Sequence, residues 1–368
     1  MAGFPFMRQA EAFLSSLPFI LLLAVFILPC PMSAAAKPRP AIAFVHLLLP
    51  PGGEPHASPA GWIGSLDRAR DTLESLRIPT IVSSASPGNA EDLNELSEMD
   101  PEVLITTSPL LYAAACDVAK RSPNTVFFAC TDETVHDNMS GFQARTYEAH
   151  YLAGLIAGAL SEDGVIGYLA NDPYQSKASR LRNANAFTLG AQKSKAAIRV
   201  LYAPGNDPDE ELKTLIAAGA DIVDLERALP SLVERLREHS VRYVGTAGRA
   251  VDPLCLAAPE WEWSNAFGDL LTQVRFGIWR PRNVSYGIKE GVVGLSPFGP
   301  AVPETVRVRV REAKEAIRNG ASPFEGPVRD VSGALRIAEG SVPDDATLRG
   351  MDWRVQGLEP LPLTPDGL

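Results

Sequence analysis

The sequence predicts an α/β protein with two similar lobes, each built on a parallel sheet. Strand-length apolar runs alternate with helical segments over residues 41–130, and the same alternation repeats over residues 164–245. Alternation of this kind is typical of βαβ units in a parallel sheet. Hydrophobic residues make up 46% of the chain and charged residues 21%. This is ordinary globular composition, so each series can bury a core of its own.

The first series contains four predicted strands and three predicted helices. The strands are expected at 41–49, 80–83, 103–106 and 125–130. The helices are expected at 62–76, 90–99 and 111–121. The apolar residues of the first of these helices share one face, namely Trp62, Leu66, Ala69, Leu73 and Leu76.

Residues 144–170 join the two series. The segment begins with a charged and aromatic cluster at 145–148, continues as a helix to residue 160 and restarts after 162–164 as a buried strand. The residues of one helical face lack bulk, namely Gly154, Ala157 and Gly158. Another backbone can approach such a face closely, and we expect it to pack against the second sheet.

The second series repeats the pattern of the first. Its strands are expected at 164–170, 198–202, 220–224 and 241–245. Its helices are expected at 179–194, 209–218 and 229–239. Beyond residue 245 we expect helices at 263–279 and 306–319, and between them a strand at 285–295 that crosses between the lobes.

Residues 1–36 are typical of a cleaved secretory signal. Arg8 precedes an apolar run at 17–28, and three alanines at 34–36 precede Lys37. The apolar run is shorter than the roughly 20 residues that a membrane-spanning helix needs. An uncleaved anchor and a lipid attached to Cys30 are the alternatives. We therefore expect an exported protein.

The mature part of an exported chain would contain three cysteines, Cys116, Cys130 and Cys255. An odd number leaves at least one thiol unpaired. Cys116 and Cys130 can pair only if the fold places them close together. The other interpretation is that they are small buried apolar residues.

Several classes of function are disfavoured by charge and motif content. The formal net charge of −10 argues against binding to phosphate backbones, so no nucleic-acid partner is expected. The sequence contains neither HExxH nor CxxC, and it lacks the GxGxxG, P-loop and GxSxG motifs. We find no nucleophile or acid–base constellation, and we expect neither an enzyme nor a cofactor.

Seven segments taken in order resemble the basic membrane protein family of ABC-transporter substrate-binding proteins. They are residues 146–160, 164–170, 185–191, 217–223, 287–303, 319–330 and 351–359. The resemblance implies a type I periplasmic-binding-protein fold, with two doubly wound parallel-sheet lobes, a hinge of three crossing segments and a central cleft. The first lobe would contain 37–145 and about 247–284, the second 146–246 and about 285–360, and 361–368 would form a tail.

The resemblance also implies a function. Members of the family bind nucleosides, mostly purine ones, and pass them to a membrane permease driven by an ATPase. The implied partners are a small-molecule ligand and permease subunits, and the implied location is extracytoplasmic. A receptor that reports to a membrane signalling protein is the alternative. A transcription regulator is disfavoured, because the signal-like residues 1–36 stand where a helix-turn-helix would be needed.

Nine residues are the candidate ligand contacts. They are Trp62, Thr107, Tyr112, Tyr147, Glu148, Asp172, Arg182, Trp261 and Trp263. Most of them follow predicted strands, where loops of a parallel sheet face the cleft. Aromatic rings would stack on a base, and polar side chains would bind its edge or a ribose.

Other roles also fit some of these residues. Trp62 suits a stacking wall or a core position of the first helix, and Tyr112 a second stacking partner or a helix surface. Glu148 suits a ligand contact or a favourable charge in the first turn of a helix. Arg182 suits the ligand or an ion pair with Asp172. In the loop after the first strand, Glu54 and His56 would bind hydroxyl groups or simply be solvated.

Two departures from the family pattern concern the ligand. After residue 245 many members have an aspartate that holds the ribose, whereas this chain has Thr-Ala-Gly-Arg at 246–249. Trp261 is an aromatic residue additional to Trp263, which matches a subgroup of the family. The binding site would thus have fewer polar groups for a ribose and more indole surface than is usual. We therefore hypothesise that the ligand is a free base.

Overall fold

The computed structural model describes residues 39–48, 61–131, 133, 136–172, 175–245 and 252–362. The first of its two large sheets has six parallel strands. They are β1 (Ile42–Leu47), β2 (Thr80–Ala85), β3 (Val103–Thr106), β4 (Val126–Cys130), β5 (Met139–Ala144) and β12 (Asn283–Tyr286). Their order across the sheet is β2-β1-β3-β4-β5-β12.

The second sheet also has six parallel strands. They are β6 (Val165–Leu169), β7 (Arg199–Ala203), β8 (Ile222–Leu225), β9 (Arg242–Gly245), β10 (Cys255–Ala257) and β16 (Leu358–Pro360). Their order is β16-β7-β6-β8-β9-β10. Within each sheet the first five strands follow the order 2-1-3-4-5, a doubly wound arrangement that favours ligand binding beyond the carboxyl ends of the strands. The predicted α/β architecture of two doubly wound lobes is confirmed.

Helices accompany both sheets. Those of the first series are α1 (Trp62–Ser75), α2 (Glu91–Ser97) and α3 (Tyr112–Ala119). Later in the chain, α8 (Ser264–Arg275) precedes β12, the last strand of the first sheet. The helices of the second series and of the chain after it are α4 (Thr146–Leu160), α5 (Lys177–Ser194), α6 (Pro208–Ala217), α7 (Pro230–Glu238), α9 (Glu304–Arg318) and α10 (Asp345–Arg349). A short 3-10 helix at Pro109–Leu111 precedes α3. Two small antiparallel pairs are also present, β11 (Pro259–Trp261) with β13 (Val293–Leu295), and β14 (Val328–Arg329) with β15 (Leu335–Ile337).

The chain passes between the two sheets three times. It leaves the first sheet after β5, returns between β10 and α8, and leaves again after β12. Since β10 pairs with β9, the segment that we assigned to the first lobe from about residue 247 still belongs to the second sheet at 255–257. The crossing strand predicted at 285–295 is two strands, because a turn around Gly291 separates β12 from β13.

The small-residue face of α4 packs against α5, and not against the second sheet as we expected. A Cβ atom at Gly154 would stand 2.0 Å from the carbonyl oxygen of Phe187, and one at Gly158 would stand 2.2 Å from that of Ala191. From the other side, a Cβ at Gly190 would stand 2.1 Å from the carbonyl oxygen of Tyr151. The predicted close approach of a second backbone is therefore present, between two helices.

Three further findings bear on the sequence-based expectations. Cys116, Cys130 and Cys255 are free thiols, so the pairing of Cys116 with Cys130 is not formed. Within the described ranges, no helix is both long and apolar enough to cross a membrane. The same part of the chain contains no group of three His, Cys, Asp or Glu side chains arranged to hold a metal ion. The predicted signal at 1–36 lies outside the described residues.

Candidate functional site

A cavity of about 150 Å³, partly open to solvent, lies between the two sheets at the carboxyl ends of their strands. A cavity of this volume in other proteins holds one aromatic ring such as benzene. The first sheet and its helices line it with Trp62, Thr107, Pro109, Cys130, Gln143 and Ala144. The crossings contribute Thr146 and Trp261, and the second lobe contributes Asp172, Gln175, Ser176, Ser179, Arg182 and Asn183.

Two indole rings form an aromatic corner on one side of the cavity. The rings of Trp62 and Trp261 are 5.8 Å apart and meet at 84°. The Nε1–H of Trp62 donates to the carbonyl oxygen of Thr107 at 2.8 Å, and the Nε1–H of Trp261 donates to the Oγ1 atom of Thr146 at 3.2 Å. Because each indole N–H is already engaged by the protein, the rings offer apolar surface to the cavity.

The local fold explains why these groups meet. Trp62 is the first residue of α1, which follows β1, and Thr107 directly follows β3. Since β1 and β3 are parallel neighbours, their carboxyl ends lie at the same edge of the sheet. The Thr107 hydroxyl donates to the carbonyl oxygen of Val45 at 3.2 Å, which fixes the loop that receives Trp62.

The opposite side of the cavity is polar and is connected by hydrogen bonds. The Nδ2 atom of Asn183 donates to Oε1 of Gln175 at 2.9 Å, and Nε2 of Gln175 donates to Oδ2 of Asp172 at 3.2 Å. Ser176 caps α5 by accepting a hydrogen bond from the backbone N–H of Ser179 at 3.1 Å. The amino end of α5 therefore presents amide, hydroxyl and carboxylate groups to the cavity.

Arg182 adds a cation to this polar side. It is buried, its Nη1 donates to the carbonyl oxygen of Leu348 at 3.2 Å, and its Nη2 donates to Oγ of Ser179 at 3.3 Å. Its guanidinium carbon lies 5.7 Å from the ring centre of Tyr147. The formal charges of Arg182 and Asp172 cancel within the cavity wall.

A buried acidic network supports the polar side from behind. Glu226 accepts from the Tyr168 hydroxyl at 2.8 Å and from the backbone N–H of Asp172 at 3.4 Å. Burial raises the pKa of Glu226 to about 7, while His150 opposes this rise. Asn171 also exchanges two hydrogen bonds of 2.8 Å with the backbone of Arg227. The loop that carries Asp172 is therefore anchored to the neighbouring loop.

Five of the nine predicted residues line the cavity, namely Trp62, Thr107, Asp172, Arg182 and Trp261. The other four lie elsewhere. Trp263 is fully buried and stacks on Phe267 at 5.5 Å, so it belongs to the core. Tyr112 packs against the apolar cluster around Leu104 and Phe127.

Tyr147 and Glu148 lie in the first turn of α4, beside the first crossing. The ring of Tyr147 packs against Phe324 at 5.4 Å. The Oε2 atom of Glu148 accepts from the backbone N–H of Ile288 at 2.7 Å, which joins the first crossing to the third. Neither residue is among those that line the cavity, and both lie beside the first crossing.

Nine of the lining residues were not among the candidates. They are Pro109, Cys130, Gln143, Ala144, Thr146, Gln175, Ser176, Ser179 and Asn183. Cys130 and Ala144 are the last residues of β4 and β5, so strand ends were the signal that could have identified them. Glu54, His56 and residues 246–249 lie outside the described residues.

The two sheets in 2-1-3-4-5 order and the three crossings together define a two-lobed α/β protein of the type I periplasmic-binding-protein fold. Residues 66–217 match the sequence profile of the Bmp family, described as "ABC transporter substrate-binding protein PnrA-like". This match covers part of the chain, and it supports the resemblance to ABC-transporter substrate-binding proteins that the sequence indicated.

Individual proteins show the same relationship. A purine-binding protein of Brucella abortus is 28% identical over 344 residues, which cover 89% of this chain and 95% of the relative. A putative ABC transporter glucose-binding protein of Haloferax volcanii is 28% identical over 77% of this chain and 78% of its own length. A solved solute-binding protein of an ABC transporter from Conexibacter woesei superposes with a TM-score of 0.60 at 17% identity, covering 76% of this chain and 97% of its own.

Proposed function

We propose that this protein binds a purine base between its lobes and delivers it to the permease of an ABC importer. The observation that carries the proposal is the pairing of an aromatic corner, Trp62 and Trp261, with a polar wall that contains Asp172 and Arg182. A purine has both matching features, a flat apolar face and an edge of hydrogen-bond donors and acceptors. The name of the relative in Brucella abortus supports the same class of ligand.

Each part of the site would contribute a different interaction. Stacking of a base on an aromatic side chain is worth about 1–3 kcal/mol. The carboxylate of Asp172 can accept from an N–H group of the base, and the guanidinium of Arg182 can donate to a ring nitrogen or carbonyl oxygen. Because the charges of these two side chains cancel, the site favours a neutral molecule over a nucleotide.

Three features favour a free base over a nucleoside. The cavity has a volume of about 150 Å³ and is only partly open to solvent, so it suits a flat base better than a base that carries a bulky ribose. The sequence has Thr-Ala-Gly-Arg at 246–249, where the resemblance to the family leads us to expect a ribose-binding aspartate. Trp261 adds apolar surface to the wall.

The ligand would act by stabilising the closed arrangement of the lobes. A molecule that contacts Trp62 on one lobe and Arg182 on the other stabilises the closed state by the contacts that exist only there. The permease would then recognise the closed protein. The proposed partners are thus one neutral small molecule and the membrane subunits of the transporter.

Isothermal titration with adenine, guanine, adenosine, guanosine and glucose tests the proposal. We expect both bases to bind more tightly than their nucleosides, and glucose not to bind. Tighter binding of the nucleosides would overturn the assignment of a free base. Tight binding of glucose, as in the name of the Haloferax volcanii relative, would overturn the purine assignment altogether.

A further inference from the structure

The orientation of Trp261 depends on one side-chain hydroxyl. Its Nε1–H donates to Oγ1 of Thr146 at 3.2 Å, and both residues are more than nine-tenths buried. Trp62, by contrast, is held by a backbone carbonyl. The angle of the aromatic corner is thus set on one side by the main chain and on the other by a side chain.

Thr146 also occupies a junction in the chain. It is the first residue of α4 and follows β5 by one residue, so it lies on the first crossing between the sheets. Trp261 ends β11, which lies on the second crossing, between β10 and α8. The hydrogen bond between them therefore joins two of the three crossings to one wall of the cavity.

We propose that Thr146 is a positioning residue that holds the indole of Trp261 at the angle a planar ligand needs. The proposal rests on the function proposed above. Without the hydroxyl, the buried indole N–H loses its acceptor, and the ring turns to find another partner. The edge-to-face contact with Trp62 then changes, and with it the corner on which the ligand stacks.

The test compares Thr146→Val, which keeps the shape and removes the hydroxyl, with Thr146→Ser, which keeps the hydroxyl. Protein labelled with 15N at its five tryptophans gives five indole N–H signals, and the signal of Trp261 is assigned from Trp261→Phe. We expect Thr146→Val to shift that signal, to speed its hydrogen exchange and to weaken adenine binding about five- to tenfold. Thr146→Ser should keep the wild-type signal and affinity.

An unchanged Trp261 signal in Thr146→Val would overturn the proposal, because the threonine would then only fill space. A shifted signal in Thr146→Ser as well would also overturn it, because the hydroxyl would not be the operative group. If Thr146→Val does not fold, Thr146→Ala replaces it. A further outcome is that neither the wild type nor any variant binds a base, although the Trp261 signals behave as expected. In that case the proposed function fails and the positioning role stands.

Discussion

The carboxylate of Glu148 accepts a hydrogen bond from the backbone N–H of Ile288, with 2.7 Å between Oε2 and N. The contact leaves no space beside it, since a Cβ atom at Gly287 would stand 2.5 Å from the same oxygen. The carboxyl group of Glu148 is surrounded by Arg145, by the carboxylates of Glu290 and Asp345, and by the first turn of α4. A buried carboxyl group thus ties together the first and third crossings.

This contact predicts that stability falls as pH rises. Burial raises the pKa of Glu148 from its ordinary value of 4.5 to about 7, so the folded protein binds this proton more tightly than the unfolded chain. The stabilisation is complete below pH 4.5 and is lost as pH rises through about 7. Glu148→Gln keeps an acceptor for Ile288 but cannot ionise. We expect the free energy of urea unfolding to fall by about 2–3 kcal/mol less between pH 5 and 8 in this variant than in the wild type.

Glu226 has a pKa raised to about 7 in the same direction, so part of the slope will remain in Glu148→Gln. Glu98→Gln, at an exposed position after α2, is the matched control and should leave the whole slope in place. Equal slopes in the wild type and in Glu148→Gln would show that Glu148 is ionised alike in the folded and unfolded states.

The buried pair of His150 and Asp224 predicts strong coupling in a double-mutant cycle. Their Nδ1 and Oδ2 atoms are 3.0 Å apart, and the side chains are 2% and 0% exposed. His150→Leu would leave a buried carboxylate without its partner and should cost about 3–5 kcal/mol of unfolding free energy. Replacing both residues with leucine removes both charges and should recover most of that loss.

A surface pair provides the comparison. Arg199 and Glu359 also form an ion pair at 2.8 Å, but their side chains are 56% and 39% exposed. Arg199→Ala should therefore cost less than about 1 kcal/mol. If the buried double variant were as unstable as His150→Leu alone, the cost would come from packing and not from the unpaired charge.

Replacing glycine with alanine should have opposite effects on stability at Gly154, in the contact of α4 with α5, and at Gly268, in α8. Gly154→Ala would place Cβ 2.0 Å from the carbonyl oxygen of Phe187 and force the helices apart, at a cost of about 3 kcal/mol. Gly268 lies inside α8 with nothing within 4 Å of its Cβ position. Gly268→Ala should therefore stabilise by about 0.5–1 kcal/mol. Thermal unfolding measures both, and a stabilised Gly154→Ala would contradict the close packing.

The sequence predicted the parts of this molecule that depend on local pattern. Alternating apolar runs identified most strands, and the position after a strand selected Trp62, Thr107 and Asp172, which line the cavity. The strand β5 was not predicted, because Met-Ser-Gly-Phe-Gln-Ala has no clear alternation. Its last two residues, Gln143 and Ala144, were missed with it.

The candidates that line the cavity differ from those that do not in direction and register, which residue type does not encode. Trp261 and Trp263 are two residues apart, yet one lines the cavity and the other fills the core, because β11 ends between them. Tyr147 and Glu148 begin a helix near the cleft, but their side chains point to Phe324 and Ile288. Only the three-dimensional arrangement of the crossings separates these outcomes.

The central claim is that a purine base stacks on the corner formed by Trp62 and Trp261. Isothermal titration of adenine into Trp261→Ala tests it most directly, beside Trp279→Ala, which removes a partly buried indole that does not line the cavity. We expect at least about tenfold weaker binding for Trp261→Ala and wild-type affinity for Trp279→Ala. Wild-type affinity in Trp261→Ala, or an equal loss in both variants, would contradict it.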